Sequence, residues 1–130
     1  MKWIKRKNHQ KTAPGNRRQM GELKEQLARR YLERQGLQHI DSNYNAPCGE
    51  IDLIMNEGNA ALVFVEVRHR SQNRYGGAAL SVDKRKQQRL QATAQHYLQA
   101  HPNRFASCRI DVIAIDGEQI RWIKNALDGF

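Results

Sequence analysis

The chain has 130 residues, enough for one globular domain around a single core and too few for two of ordinary size. Its hydrophobic fraction of 39% and charged fraction of 27% suit a folded domain. No run approaches 18 apolar residues, which excludes a membrane-spanning helix, and Cys48 and Cys108 alone are too few for a disulfide scaffold.

A reducing, cytoplasmic setting is expected. The net charge of +9 is uneven: residues 1–18 carry seven of the 22 basic side chains and none of the 13 acidic ones. These residues also lack the apolar stretch of a secretory signal. They read as a flexible, polyanion-seeking arm, for which nucleic acid is the commonest partner. A solubilising terminus is the plain alternative. Residues 19–130 read as the folded domain.

From Met20 the spacing Leu23–Leu27–Tyr31, widened by Ala28 and Leu32, predicts a helix with that stripe buried, stopped at Gly36. Three strand-like stretches follow. Leu37–Tyr44 is the weakest; Gly49–Met55 and Ala61–Arg68 are joined as a hairpin across Asn56-Glu57-Gly58-Asn59. Residues 70–80 read as a polar loop. A second helix is predicted from about Ser81, with Asp83 in its first turn and Leu90, Ala94, Tyr97 and Leu98 on a buried stripe. Cys108–Ile115 is a strong strand, turned by Asp116-Gly117 into Gln119–Ile123. The order is αβββα and then a β-hairpin: an α/β domain with a mixed sheet and two helices.

The chemistry lies in Gly49-Glu50-Ile51-Asp52-Leu53-Ile54 and Val63-Phe64-Val65-Glu66-Val67-Arg68. Strand side chains alternate between faces, so Glu50 and Asp52 share one side, as do Glu66 and Arg68. A three-residue loop, Glu57-Gly58-Asn59, sets Asn56 opposite Ala60 and Asp52 diagonal to Glu66, with Cβ atoms roughly 7–8 Å apart. A two-residue loop would put them on opposite faces. Gly58 suits the left-handed position of the longer loop, so the convergent register is expected. Like charges on a half-buried sheet are costly unless compensated. A divalent cation such as Mg²⁺ or Mn²⁺, taking two carboxylates and retaining waters, is one compensator; ordinary ion pairs with basic neighbours are the other. Arg68 on the same face can hold a phosphate bidentately but cannot accept a proton.

At these residues the chain resembles the small bacterial YraN family of endonuclease-like proteins. That family is related to archaeal Holliday-junction resolvases and to the restriction-endonuclease-like PD-(D/E)XK superfamily. The pieces that carry the resemblance are Gly21-Glu22 with Ala28 and Tyr31-Leu32, the two acidic strands continuing to His69-Arg70, Arg109-Ile110-Asp111-Val112, and Asn125-Ala126. They span about residues 17–130. The resemblance implies an αβββαβ core and metal-dependent hydrolysis of phosphodiester bonds in DNA, with branched or junction DNA among the substrates. It also implies metal binding by Asp52, Glu66 and Glu22, and it allows a homodimer. For Glu22, partnership with the helix dipole is the plainer alternative. The superfamily's lysine falls on Arg68, which can position a water and stabilise charge but not deprotonate; Lys86 is a candidate substitute. A nucleic-acid-binding module with a degenerate site is the rival reading.

Lys84, Arg85, Lys86 and Arg89 open the second helix off its apolar stripe and, with Arg70 and Arg74, could form a phosphate-holding wall. A solvated basic face is the alternative. Asp111 reads as a structural acceptor rather than a ligand, and the five histidines show no zinc spacing.

Overall fold

The computed structural model describes residues 17–58, 60–70, 82–102 and 106–127. Helix α1 spans Arg17–Arg34 and is followed by β1 (Gln38–Ala46), β2 (Gly49–Glu57) and β3 (Ala61–Arg70). Helix α2 (Lys84–Ala100) then leads to β4 (Ser107–Asp116) and β5 (Gln119–Ile123). The strands form one sheet in the order β1-β2-β3-β4-β5. β3 and β4 run parallel with α2 as their crossover, and the other neighbours are antiparallel. The expected α/β order, αβββαβ with a closing hairpin, is the observed one. Residues 1–16 of the basic arm lie outside the described residues, and Arg17 and Arg18 form the start of α1.

Helix α1 ends as Gly36 suggests. Gly36 adopts φ 101°, its N–H donates to Glu33, and the Leu37 N–H reaches back to the Leu32 carbonyl at 3.1 Å. Glycine takes this left-handed turn without steric cost, and Leu32 and Leu37 close the cap with a buried contact. On β3, Val63, Val65 and Val67 pack with Ala28 and Leu32 of α1, whereas Leu62 and Phe64 pack with Leu90, Ala94 and Tyr97 of α2. The helices therefore cover opposite faces. Each fully buried aliphatic or aromatic side chain contributes about 1.5–3 kcal/mol.

Three local expectations are corrected. In α1, Leu23 and Leu27 are exposed (57% and 41%), while the buried line runs through Ala28 and Leu32. The small Ala28 lets the helix approach the sheet along that line. Helix α2 starts later than expected: Asp83 is its N-cap, accepting from the Lys86 N–H at 2.8 Å, and Ser81 lies outside the described residues. The β2–β3 ladder closes at Glu57–Ala61, with the Ala60 N–H donating to the Glu57 carbonyl and Gly58 at φ 64°. The loop is three residues long, as expected, but starts one residue later. That shifts the register by two, which by itself moves no side chain to the other face.

Candidate active site

The strand alternation slips at Asp52. Leu53 and Met55 pack under α1 and Ile54 under α2, yet Ile51 also joins the α2 cluster. The β2–β3 ladder stops at Leu53–Val65, while β3 continues beside β4 to Arg70. Beyond that last pair, the Val67 N–H donates to Asp52 Oδ2 at 2.8 Å. Asp52 thus occupies a fork where two strands part, its carboxyl standing in for a strand partner. At the start of β2, Gly49 lets α2 pack close, because a Cβ there would meet Thr93 Oγ1 of α2 at 2.9 Å.

Residues from both helical layers meet at this fork. Glu66, only 3% exposed, receives Arg68 Nη1 at 3.3 Å and Lys86 Nζ of α2 at 3.4 Å, both on Oε2. From the opposite face, Glu25 of α1 hydrogen-bonds to Asp52. The expected proximity of Asp52 to Glu66 is present: the Glu66 charge acts directly on the Asp52 carboxyl.

That carboxyl is pushed up to about 9, by burial first and then by the charges of Glu66 and Glu25, against the opposing pull of the Val67 N–H. Glu25 is also raised, chiefly by burial and by the charges of Glu50 and Glu22, and its bonds to Asp52 and Asn43 oppose the rise. The shared bond favours the neutral form of Asp52 and the charged form of Glu25, so at neutral pH Asp52 carries the proton and donates it to Glu25. Two guanidinium or ammonium groups reach Glu66; what reaches Asp52 is an N–H and two acids.

Glu22 stands elsewhere. Its side chain is 59% exposed and pairs with Arg18 Nε at 3.6 Å. It lines the outer wall of a cleft of about 530 Å³ between α1, β1 and β2, whose inner wall includes Glu25, Asn43 and Glu50. The α1 acid that touches Asp52 is therefore Glu25. The sequence carried a signal for it: Glu25 lies three residues before Ala28 and seven before Leu32, on the buried line of α1.

Lys84, Arg85 and Arg89 lie exposed on the first turns of α2, and Lys86 is the one turned toward Glu66. Arg74 and the side chain of Arg70 lie outside the described residues. His69 is held below its ordinary value by burial and then by the charges of Lys24 and Arg68. Asp111, fully buried, accepts from Arg109 Nε, Trp122 Nε1 and the Asn125 N–H, which makes it the structural acceptor expected.

The donor set suits a hard divalent cation. Among the described residues, no three His, Cys, Asp or Glu side chains converge as ligands as they stand. The available share is the pair Asp52 and Glu66, and Mg²⁺ typically takes one or two carboxylates, with waters and substrate phosphate completing its shell. The charges of Glu66 and Glu25, which help to keep the proton on Asp52, are what such a cation would offset.

A family model described as "Uncharacterised protein family UPF0102" matches residues 24–115, a stretch that contains Glu25, Asp52, Glu66, Arg68 and Lys86. The chain is 52% identical over 108 residues to a UPF0102 protein of Aeromonas hydrophila, covering 82% of each chain. It is 50% identical over 109 residues to one from Ralstonia nicotianae, covering 82% of this chain and 84% of that one. A UPF0102 protein of Halorhodospira halophila is 48% identical over 115 residues, or 88% and 92% of the two chains.

Proposed function

The chain belongs to the uncharacterised protein family UPF0102, and we propose that it is a divalent-metal-dependent endonuclease acting on DNA. Branched and junction DNA are the substrate forms to test first. The observation that carries this reading is Asp52: a carboxyl set at a strand fork against Glu25 and Glu66 and pushed up to about 9. A buried acid shifted this far by burial and by acidic neighbours is typical of functional sites.

Asp52 and Glu66 would hold Mg²⁺ or Mn²⁺, Asp52 giving up its proton on binding. When bound, such an ion lowers the pKa of a water and offsets charge on a phosphate in flight. Glu25 keeps the Asp52 carboxyl in one orientation through their shared hydrogen bond. Arg68, at the rim beside Glu66, is suited to hold the scissile phosphate bidentately, and it takes no proton at any ordinary pH. Lys84, Arg85 and Arg89 supply an exposed basic strip for neighbouring phosphates, sequence-blind and salt-dependent.

The second reading, a nucleic-acid-binding module without turnover, has its own support. Glu66 already pairs with both Arg68 and Lys86, which competes with a metal ion for the same oxygen. One experiment separates the two. Labelled single strands, duplexes, forks and four-way junctions are incubated with Mg²⁺ or Mn²⁺ and either wild-type protein or Asp52→Asn. Cleavage by the wild type, lost in the variant with binding retained, is the expected result. Binding without cleavage by either protein leaves the module. If neither binds at low salt, both readings fall.

A further inference from the structure

Asn43 is a non-glycine residue in the middle of β1 with φ 53°, in the left-handed region. Asn enters that region more readily than most residues, yet inside a strand it is uncommon and points to a local demand. The β1–β2 register pairs Ser42 with Leu53 and Tyr44 with Ile51, so Asn43 stands across from Asp52, where β2 itself slips. With its amide nitrogen turned to the acids, Asn43 donates to Glu25 Oε1 at 3.1 Å and to Glu50 Oε2 at 3.0 Å. That orientation is the chemically required one, because the opposite would aim an amide oxygen at two carboxylates. Both acids line the 530 Å³ cleft.

Glu25 needs such a partner. It sits on a helix with a long, freely rotating side chain, close to the like charges of Glu50 and Glu22. Repulsion alone would drive it outward to solvent and to the arginines of α1. A charge-assisted bond from Asn43 holds it inward, and the left-handed backbone at residue 43 breaks the strand's alternation where the amide has to be delivered. The order of support is then Asn43 to Glu25, and Glu25 to Asp52.

Building on the endonuclease reading above, we propose that Asn43 is a positioning residue, its left-handed backbone and forked amide fixing Glu25 against Asp52 so that the carboxyl meets a divalent cation in one orientation. Outer partners of this kind set ligand orientation, and their loss typically costs about 10–100-fold in metal affinity. A purely conformational role for Asn43 makes a different prediction, since Gly accepts the same backbone without offering a donor.

The test uses the full chain with Asn43→Gly, Asn43→Asp, Glu25→Ala and the double variant Asn43→Gly/Glu25→Ala. In metal-free thermal unfolding, the shift of the double variant should differ from the sum of the two single shifts, because either change alone already breaks the contact. Additive shifts overturn the assignment even if the wild type cleaves DNA. In calorimetric titration with Mn²⁺, Asn43→Gly and Asn43→Asp should bind about 10–100-fold more weakly while still unfolding cooperatively. Saturating Mn²⁺ should then return the cleavage rate of Asn43→Gly to near that of the wild type. Unchanged Mn²⁺ affinity in both variants overturns the proposal. A wild type that binds no Mn²⁺ ends the endonuclease reading and the cation role of Asn43 with it, while the unfolding comparison still decides the contact to Glu25.

Discussion

Two buried aspartates in this domain have opposite surroundings. Asp111 of β4 is fully buried and takes donors on both oxygens: Arg109 Nε at 2.9 Å, Trp122 Nε1 at 2.9 Å and the Asn125 N–H at 2.8 Å. Arg109 in turn reaches Glu57 at 2.6 Å, which ties β2, β4 and the segment after β5 into one network. Among the described residues, Asp52 of β2 has a single backbone donor and faces two other acids. The first arrangement stabilises a charge where it is. The second keeps its aspartate neutral beneath the charges of two other acids, an arrangement of the kind that gathers at functional sites. Burial alone does not distinguish a structural acid from a functional one; the sign of its neighbours does.

Exchanging each aspartate for asparagine should therefore produce opposite signatures. The largest effect is on turnover: Asp52→Asn is expected to lower DNA cleavage by at least about 10³-fold, the scale of losing a principal electrostatic group. Asp111→Asn should leave cleavage per folded molecule within a few-fold. In stability the roles reverse. Asp111→Asn leaves the half-buried Arg109 poorly paired and should cost about 3 kcal/mol, or about 10 °C in Tm for a domain of this size. A stable Asp111→Asn protein would break the comparison at its structural end.

The pH dependence sharpens the other end. Folding raises the Asp52 carboxyl from its ordinary 3.8 to about 9. The folded metal-free protein thus keeps a proton that the unfolded chain has released. The associated stability is fully present below about pH 4 and is lost as pH rises toward 9, because the native state binds more protons through that window. Unfolding monitored by circular dichroism from pH 5 to 9 should show Tm falling with pH in the wild type and a flatter profile in Asp52→Asn. At pH 8 the variant should be the more stable of the two, by roughly 5 °C.

The smallest effects separate the two acids of α1. Glu25→Ala removes a group in contact with Asp52 and should weaken Mn²⁺ binding about 10–100-fold. Glu22→Gln disturbs an exposed pair with Arg18 and should change affinity and Tm within error, since such pairs contribute about 0–1 kcal/mol.

How far the sequence spoke follows from what each feature depends on. The order of elements and the closeness of Asp52 to Glu66 were legible, because strand-forming runs and a glycine-containing turn are local signals. Even the misplaced start of that turn was harmless, since a shift of two residues preserves faces. The phase of α1 was legible in part: Ala28 and Leu32 were on the expected stripe, but Leu23 and Leu27, placed with them, are exposed. Leu23–Leu27–Tyr31 and Glu25–Ala28–Leu32 both satisfy helical spacing, and the sheet, by admitting Ala28, selects the second. Glu22 came from the resemblance at Gly21-Glu22 and from no reading of the helix, and Glu25 went unnoticed. Asn43 had no signal at all: it is one polar residue in the weakest expected strand, and its left-handed backbone depends on the slip of β2 across from it.

The most direct measurement is Mn²⁺-dependent thermal unfolding at pH 8 of the wild type and Asp52→Asn. A ligand that binds only the folded state at a hundredfold excess over its Kd adds about 2.7 kcal/mol. The account predicts a Tm rise of roughly 10 °C in the wild type and almost none in the variant. Equal rises in both proteins, or no rise in the wild type, would contradict it.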